Sequence, residues 1–237
     1  MIWCFSPTGT SLRLAQALGG EIVDLTTPTA RQSAPRPGPN GLFTLVFPVH
    51  GQRVPSPLRS WLKALPRVRT RAVLLCTYGS VHPGGALSEA AKLLRRKGMT
   101  VTAAAALPGP HSYRCARTKR DLNGAGETDL PAAQTFYRQA QSRTAPAVLA
   151  PGWDPARLLP DRLAPVRLAV RRPRADPALC KGCGRCRAVC PAQGGDCIRC
   201  AACVVNCPTG ARTLSFRTQL PAWFLSKAIK PRPPRFQ

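Results

Sequence analysis

The stretch IWCFSPTGTSLRLAQAL, residues 2–18, joins an apolar run to an amphipathic run through a short turn rich in hydroxyl groups. The run from Ile2 to Phe5 predicts a buried strand. Residues 10–18 predict a helix whose apolar side carries Leu12, Leu14, Ala15 and Leu18. A strand that leads through a tight turn into a helix is the first half of a βαβ unit. The stretch therefore predicts a parallel sheet covered by helices.

The same alternation of apolar and amphipathic runs continues to residue 145 and predicts an α/β domain with helices on both faces of its sheet. Further strands are predicted at 21–25, 42–47, 72–77 and 99–107, and further helices at 57–65, 84–97 and 131–143. Residues 26–41, rich in Pro and Gly, are predicted to form a loop in place of a helix.

The rest of the chain divides into three segments. Residues 146–175 are Pro-rich and are predicted to be a linker that runs along the surface. Residues 176–216 hold eight of the 11 cysteines. Residues 217–237 form a basic tail, which is predicted to be an arm that packs back on the body, with a membrane or partner contact as the alternative.

The eight clustered cysteines follow one spacing that occurs twice. The pattern is Cys180-x2-Cys183-x2-Cys186-x3-Cys190-Pro191, followed by Cys197-x2-Cys200-x2-Cys203-x3-Cys207-Pro208. This spacing is typical of ferredoxins with two 4Fe–4S clusters, in which the fourth cysteine of each run ligates the cluster of the other run. One predicted ligand set is therefore Cys180, Cys183, Cys186 and Cys207, and the other is Cys190, Cys197, Cys200 and Cys203.

Zinc and disulfides are the other two uses of closely spaced cysteines. A zinc ribbon needs only two CxxC pairs for each metal ion and does not repeat the longer pattern seen here. The first residues lack a basic segment followed by a long apolar one, which predicts no signal peptide and a cytoplasmic location. In that reducing compartment clustered cysteines more often bind metal than form disulfides. The loop from Cys190 to Cys197 is short, so the second cluster is expected to be less shielded.

The turn SPTGTS, residues 6–11, predicts a phosphate site. Backbone N–H groups and the helix dipole favour an anion where a strand meets the start of a helix. The predicted phosphate-binding residues are Ser6, Thr8, Gly9, Thr10 and Ser11. An ordinary helix cap uses the same residue types and is the alternative. The turn is not a Walker loop, and the sequence contains no GxGxxG dinucleotide motif.

All three histidines follow predicted strands. His50, His82 and His111 come just after the third, fourth and fifth strands, at the edge where α/β sheets bind ligands. Solvated loop histidines are the alternative at each position. Tyr78 and Tyr113 are candidates for contact with an aromatic ligand, with ordinary packing as the alternative.

Several motifs together resemble one family. FSPTGTS (5–11), FPVHGQRVPSPL (47–58), CTYGSVHPGGAL (76–87) and PGPHSY (108–113), followed by the double cysteine run, resemble the flavodoxin–ferredoxin fusion family of bacterial and archaeal electron-transfer proteins. The resemblance covers nearly the whole chain. It implies a flavodoxin-like, doubly wound parallel sheet of five strands in the order 2-1-3-4-5 within residues 1–145. It also implies a small bacterial-type ferredoxin domain with two 4Fe–4S clusters at residues 176–216.

The resemblance further implies that flavin mononucleotide (FMN) binds at the edge of the sheet. Its phosphate would lie on the SPTGTS turn, and its isoalloxazine ring would lie between residues 48–54 and 78–85. The implied ring-binding residues are Pro48, His50, Gly51, Tyr78, Gly79 and His82.

The formal charge of +25 predicts a polyanionic partner, which could be nucleic acid, an anionic membrane or an acidic protein. The basic residues are spread along the chain without an aromatic-interleaved patch, which disfavours nucleic acid. Compositional bias towards Arg is another explanation. Two clusters and a flavin phosphate would lower the charge by about six.

These patterns predict an electron carrier that relays electrons between FMN, two clusters and an external acidic redox protein. The alternatives are a flavin-dependent reductase of a quinone, nitro compound or metal centre, and a basic iron–sulfur protein bound to nucleic acid. The absence of a nicotinamide-binding motif favours a carrier or an oxidoreductase component over a self-sufficient enzyme. The electron exit is expected near four cations that lie between cluster ligands: Lys181, Arg185, Arg187 and Arg199.

Overall fold

In the computed structural model, which describes residues 1–150, 159–160, 163–193 and 195–237, a mostly parallel sheet forms the centre of the chain. The strands are β1 (Ile2–Cys4), β2 (Ile22–Asp24), β3 (Leu42–Pro48), β4 (Thr70–Tyr78), β5 (Met99–Pro108), β6 (Arg174–Ala175), β7 (Arg212–Thr213) and β8 (Arg235–Phe236). Six of them form the central sheet in the order β2-β1-β3-β4-β5-β8, and β6 and β7 form a separate two-stranded sheet.

The order of the first five strands is the implied 2-1-3-4-5, and these five strands run parallel. The prediction of five strands was wrong by one. The end of the tail adds β8, which pairs antiparallel with β5 through Phe236 opposite Ala105 and Arg235 opposite Ala106. The α/β class is therefore confirmed, with one additional edge strand.

The helices lie at or near most of the predicted positions. They are α1 (Thr10–Leu18), α2 (Pro28–Ser33), α3 (Ser56–Lys63), α4 (Ala86–Arg96), α5 (Leu130–Ser142), α6 (Pro165–Ala169), α7 (Arg185–Ala188), α8 (Ala202–Val205) and α9 (Leu220–Ala228). The prediction of a loop at 26–41 was wrong in part, because α2 lies within it. The Thr27 hydroxyl accepts a hydrogen bond from the Ala30 N–H at 3.2 Å, and Pro28 opens the helix, where it needs no N–H partner.

Both faces of the sheet are buried. Side chains alternate along β3, so Phe43, Leu45 and Phe47 pack on one side and Val46 on the other. The first face is covered by α3 and α4, and the second by α1 and α5. This arrangement leaves the carboxyl ends of the strands as the edge where ligands bind in α/β folds.

A third apolar cluster joins the sheet edge to the cysteine segment. It contains Tyr113, from a short 3₁₀ helix at Ser112–Cys115, together with Val170, Ala201, Leu214 and Ile229. The residues predicted as a linker, 146–175, lie partly outside the described residues, at 151–158 and 161–162. Their described part includes α6 and β6. No helix in the described ranges has the length and apolar character needed to cross a membrane.

Candidate functional site

A cavity of about 290 Å³ lies at the carboxyl edge of β3, β4 and β5. Five of the six residues predicted to contact a flavin ring line it: His50, Gly51, Tyr78, Gly79 and His82. His111 and Tyr113, which follow β5, line it as well. The structure thus places all three histidines around one cavity at the edge that the sequence predicted.

The opposite wall of the cavity comes from the second half of the chain. It includes Val166, Val170, Cys200, Phe216 and Leu225. The sequence did not place these residues at the cavity, because each reaches it only through the packing of α6, the cysteine segment or α9 against the sheet edge. The cavity is therefore mostly apolar, as small-molecule sites are in general.

Tyr78 is a buried polar group in this cavity. Only 3% of the residue is exposed, and its hydroxyl has no hydrogen-bond partner among the described residues. Burial raises the pKa of Tyr78, although Arg235 and Arg232 act in the opposite direction. A buried hydroxyl without a partner costs free energy unless a ligand supplies the missing hydrogen bond.

His111 is a neutral imidazole in the same cavity. Burial, with a smaller effect from His50, lowers the pKa of His111 to about 4. Its Nδ1 accepts a hydrogen bond from the Tyr113 N–H at 3.1 Å. The proton of the neutral ring therefore lies on Nε2, which is a hydrogen-bond donor. A Cβ atom at Gly79 would overlap the His111 ring, so this glycine allows the close packing.

His82 lies at the exposed rim of the cavity, close to two arginines of the tail. Burial, with repulsion from Arg235 and Arg232, lowers the pKa of His82. Arg232 Nε donates to the Ser80 carbonyl at 2.9 Å, which fixes the tail beside the cavity. The sequence did not predict this cationic rim.

The predicted phosphate residues do not all present free hydroxyls. Ser6 Oγ accepts a hydrogen bond from the Leu12 N–H at 2.8 Å and so caps α1. Ser11 is buried, and its hydroxyl lies 2.7 Å from Thr77 Oγ1. Thr8 and Thr10 are the remaining hydroxyl residues of the turn, and they are partly exposed.

Gly9 lies within this turn, and Thr128 lies next to it. Gly9 has a φ of 90°, a left-handed angle that glycine adopts without strain. The Thr128 hydroxyl is buried without a partner among the described residues. Thr128 and Thr10 both lie against Gly109, so this hydroxyl is next to the turn. The sequence gave no indication of a role for Thr128.

A second, smaller cavity of about 20 Å³ lies beside the turn and shares lining residues with the larger cavity. It is lined by Thr8 from the turn and by Pro48, the sixth predicted ring residue. His50 and Cys200 line both cavities. The predicted phosphate residues and the predicted ring residues therefore surround two neighbouring spaces.

The two cysteine runs share one backbone conformation. Gly182 and Gly184 of the first run have φ angles of 68° and 72°, and at the corresponding places in the second run Arg199 and Ala201 have 63° and 66°. Each run then forms a single helical turn, α7 or α8, ahead of its fourth cysteine. A left-handed angle costs a residue with a side chain about 1–3 kcal/mol, so the turn is retained in the second run despite strain.

The thiols of the second predicted ligand set are close enough to affect one another's pKa values. Burial raises the pKa of Cys200 to about 12, and repulsion from Cys197, Cys203 and Cys190 contributes to the shift. Burial likewise raises the pKa of Cys203 to about 11, again with contributions from Cys197 and Cys190. Cys190 therefore lies near Cys200 and Cys203 of the other run, and Cys186 of its own run lies near Cys203 as well.

Arg212 lies beside the first set. The Arg212 N–H donates to Cys207 Sγ at 3.4 Å, and this bond is the main reason that the pKa of Cys207 is lowered to about 7. Burial acts to lower the pKa of Arg212, but contacts with Cys186, and with Cys203 and Cys180, raise it overall. Cys183 is exposed.

Within the described part of the chain, no group of three or more His, Cys, Asp or Glu residues is arranged around a single metal ion. A zinc ion requires its ligands about 2.0–2.3 Å from one point. Each thiolate of a 4Fe–4S cluster binds a different iron, so a cluster requires sulfurs that are further apart.

The cysteine segment and the cavity share a wall. Cys200 lines the cavity, and the Tyr113 hydroxyl donates to the Arg199 carbonyl at 2.8 Å. Burial raises the pKa of Tyr113 well above its ordinary value, with repulsion from Cys200 and Cys197 as further causes. A group bound to Cys200 would therefore adjoin a ligand in the cavity.

The four cations predicted at an electron exit separate into two places. Lys181, Arg185 and Arg187 are exposed beside the first cysteine run. Arg199 is partly buried, and its guanidinium donates to the carbonyls of Val170 and Cys197 at 3.3 and 3.0 Å. Arg199 is thus held by the second run and is not part of the same exposed group.

Comparisons of the chain with known protein families, with characterised proteins and with solved structures gave no match. The fold, the cavity and the cysteine arrangement are the observations that bear on function. An apolar cavity with a few fixed polar groups is typical of small-molecule sites, and the two cysteine runs have the spacing of ferredoxins.

Proposed function

We propose that the chain is an electron-transfer protein that connects FMN with two 4Fe–4S clusters and passes electrons to or from an external redox protein. The observation that carries this proposal is the position of Cys200. This cysteine belongs to the second predicted ligand set and lines the cavity that also contains His50, Tyr78 and His82. Electron transfer requires that redox groups lie close together, and a shared wall meets that requirement.

The cysteines fit two clusters in spacing and in local structure. The backbone turn of the first run recurs in the second, and the thiol of Cys190 lies near those of Cys200 and Cys203. The raised pKa values of Cys200 and Cys203 mean that these thiols stay protonated and neutral unless a cation is bound beside them. Bound iron would supply that cation and deprotonate the thiols.

The cavity fits FMN in its polar groups. Tyr78 and Thr128 each hold a buried hydroxyl without a partner among the described residues, one in the larger cavity and one beside the SPTGTS turn. The N-terminus of α1, which is capped by the left-handed Gly9, favours a phosphate at the SPTGTS turn. Neutral His111 offers an N–H donor without adding a charge.

The chain's own residues would then orient the cofactors and exclude water. FMN can exchange electrons in pairs or singly, and 4Fe–4S clusters exchange them singly. Val170, Phe216 and Leu225 give the cavity an apolar wall, which would limit the access of water to a bound ligand. The arginines of the tail at its rim favour negative charge on a ligand, which raises the reduction potential of a group that becomes anionic on reduction.

An acidic redox protein is the partner that the surface charge favours. Lys181, Arg185 and Arg187 are exposed beside the first ligand set, where an electron would leave. Exposed charges of this kind increase the association rate more than the affinity. Transfer to an acidic ferredoxin should therefore slow as the salt concentration rises.

Anaerobic purification tests the cofactors. We expect about eight irons and one FMN per chain, from two four-iron clusters and one flavin. A Cys190→Ala variant should lose about half of the iron, whereas Cys115→Ala, outside both ligand sets, should keep all of it. Stoichiometric zinc, or a chain that binds no flavin, would contradict the proposal.

Selective photoreduction tests whether electrons pass between the flavin and the clusters. Illumination with a sacrificial donor reduces a bound flavin, and electrons that reach the clusters give the electron paramagnetic resonance signal of reduced 4Fe–4S. We expect this signal in the wild type and its loss or delay in Cys200→Ala. A wild type whose flavin is reduced without any cluster signal would show that the cavity and the cysteines are not connected.

A further inference from the structure

A two-stranded ribbon, formed by residues 169–175 and 211–217, has one apolar face and one basic face. β6 pairs antiparallel with β7, and backbone hydrogen bonds extend the pairing on towards residues 169 and 217. Side chains alternate along a strand, so Leu214 and Phe216 pack in the third apolar cluster. The intervening residues lie on the other face: Thr213, Ser215 and Arg217.

A cavity of about 390 Å³ lies on this second face. We call it the arginine cavity, because five arginines line it: Arg171, Arg172, Arg174, Arg199 and Arg217. The hydroxyls of Thr213 and Ser215 complete the lining. The cavity is separate from the one beside Tyr78 and has a volume typical of small-molecule sites.

Arg199 is the fixed member of this group. Its Nε and Nη1 donate to the Val170 and Cys197 carbonyls, so its guanidinium is anchored at the junction of the ribbon and the second cysteine run. An anchored guanidinium loses little conformational freedom when it binds a ligand. The other four arginines are exposed and can adjust to a ligand.

The arginine cavity contains no carboxylate among its described lining residues. The carboxylate of Asp196 is near enough that Arg199 and Arg172 contribute to lowering its pKa, but its main partner is Arg167, with which it forms a hydrogen bond and an ion pair. The five positive charges therefore lack matching negative charges in their own cavity. Such a concentration of positive charge attracts an anion.

We infer that the arginine cavity binds a small anion that carries two or more phosphate groups, as in a polyphosphate or the phosphate chain of a nucleotide. Guanidinium groups bind phosphate oxygens through paired hydrogen bonds, and the two hydroxyls add further donors. Several arginines can pair with two or more phosphates, whereas a single phosphate can contact only a few of them. The concave shape favours a small molecule over a nucleic acid duplex or a protein surface.

Isothermal titration calorimetry of the full chain, purified without oxygen and saturated with FMN, tests this inference. The probes are orthophosphate, tripolyphosphate and ATP. We expect one saturable site for tripolyphosphate and for ATP, with at least tenfold weaker binding of orthophosphate. Equal affinities for the first two would assign recognition to the phosphates alone, and tighter ATP binding would add a nucleoside contact. Both results support the inference.

A pair of variants with matched charge separates a specific site from general attraction. Arg172→Gln/Arg174→Gln/Arg217→Gln should weaken tripolyphosphate binding at least tenfold. The control changes three exposed cations elsewhere, Arg67, Arg69 and Arg120, to Gln and should stay within twofold of the wild type.

Three outcomes would overturn the inference. Tripolyphosphate and ATP could fail to bind the wild type, or both triple variants could lose affinity equally. Alternatively, a DNA duplex or an acidic protein could depend on these arginines while tripolyphosphate does not bind. If the cavity variant has an altered circular dichroism spectrum, Arg217→Gln alone replaces it, with a threefold or greater loss expected.

Discussion

Replacing Tyr78 with phenylalanine should stabilise the ligand-free protein and weaken its binding of FMN. The Tyr78 hydroxyl is buried and lacks a hydrogen-bond partner among the described residues. Burial of an unsatisfied hydroxyl costs about 1–3 kcal/mol. Removal of the oxygen should return that amount to the free energy of unfolding, which corresponds to an increase in Tm of about 2–12 °C for a chain of this size.

The same change should act in the opposite direction on ligand binding. If FMN supplies the missing partner, loss of the Tyr78 hydroxyl removes one hydrogen bond between the protein and FMN, worth about 0.5–1.5 kcal/mol. The Kd for FMN should then rise by about two- to twelvefold. Thermal denaturation of the flavin-free protein gives the first effect, and quenching of flavin fluorescence gives the second.

Tyr137 provides a matched control for this substitution. It is also buried, but its hydroxyl lies 2.9 Å from Thr44 Oγ1. Tyr137→Phe leaves the Thr44 hydroxyl unsatisfied and should therefore lower Tm. The reasoning would be refuted if Tyr78→Phe lowered the Tm of the flavin-free protein as Tyr137→Phe does, because the Tyr78 hydroxyl would then have a partner within the protein.

Three further predictions concern packing, pH and the ligand sets. Gly79→Ala should destabilise the protein by about 1–3 kcal/mol, because the new methyl group overlaps His111. Gly38→Ala, where the space is open, should leave the free energy of unfolding unchanged. Equal effects of the two substitutions in denaturant unfolding would argue against the overlap. The His111 pKa of about 4 is below its usual 6.5, so the unfolded chain takes up a proton that the folded chain does not. The free energy of unfolding should thus decrease by up to about 3 kcal/mol as the pH falls from 6.5 to 4, and His111→Gln should remove this contribution; an unchanged pH profile would show that the histidine is accessible. In electron paramagnetic resonance of the reduced protein, Cys190→Ala should broaden or abolish the signal of the cluster nearer the cavity and leave the signal of the other cluster unchanged. Loss of both signals would contradict the crossed ligand sets.

Local patterns were sufficient to predict the sheet and the edge that carries the cavity. Strands and helices alternate in sequence, and the histidines follow three successive strands, so their meeting at one edge required only the geometry of parallel sheets. The short strand β8 could not be predicted in this way. Its two residues carry no strand signal of their own, and they pair because β5 leaves an edge open beside them.

The SPTGTS turn shows how a local pattern can mislead. Ser11 was predicted to face a phosphate and Leu12 to face the core, but Ser11 is buried and Leu12 is 38% exposed. Ser11, Leu14 and Ala15 follow a spacing of three and four residues, so the helical period itself places the serine on the buried side.

The wall formed by Cys200 and Phe216 could not be predicted from the sequence. Each residue lies far along the chain from the strands whose ends it meets, and no short-range pattern records such a contact. The unpaired hydroxyl of Thr128 is a similar case. Thr128 lies far along the chain from Thr10 and Gly109, which it adjoins.

The apolar cluster that joins the sheet edge to the cysteine segment also determines when the cavity can form during synthesis of the chain. Strands β1 to β5 are complete when residue 108 has been made, so the sheet can form while the chain is still growing. The cavity cannot, because one of its walls includes Phe216 and Leu225, and the cluster beneath it includes Ile229. During translation the edge of the sheet therefore stays open until residues 216–229 have been made, and only then can the cavity gain its second wall.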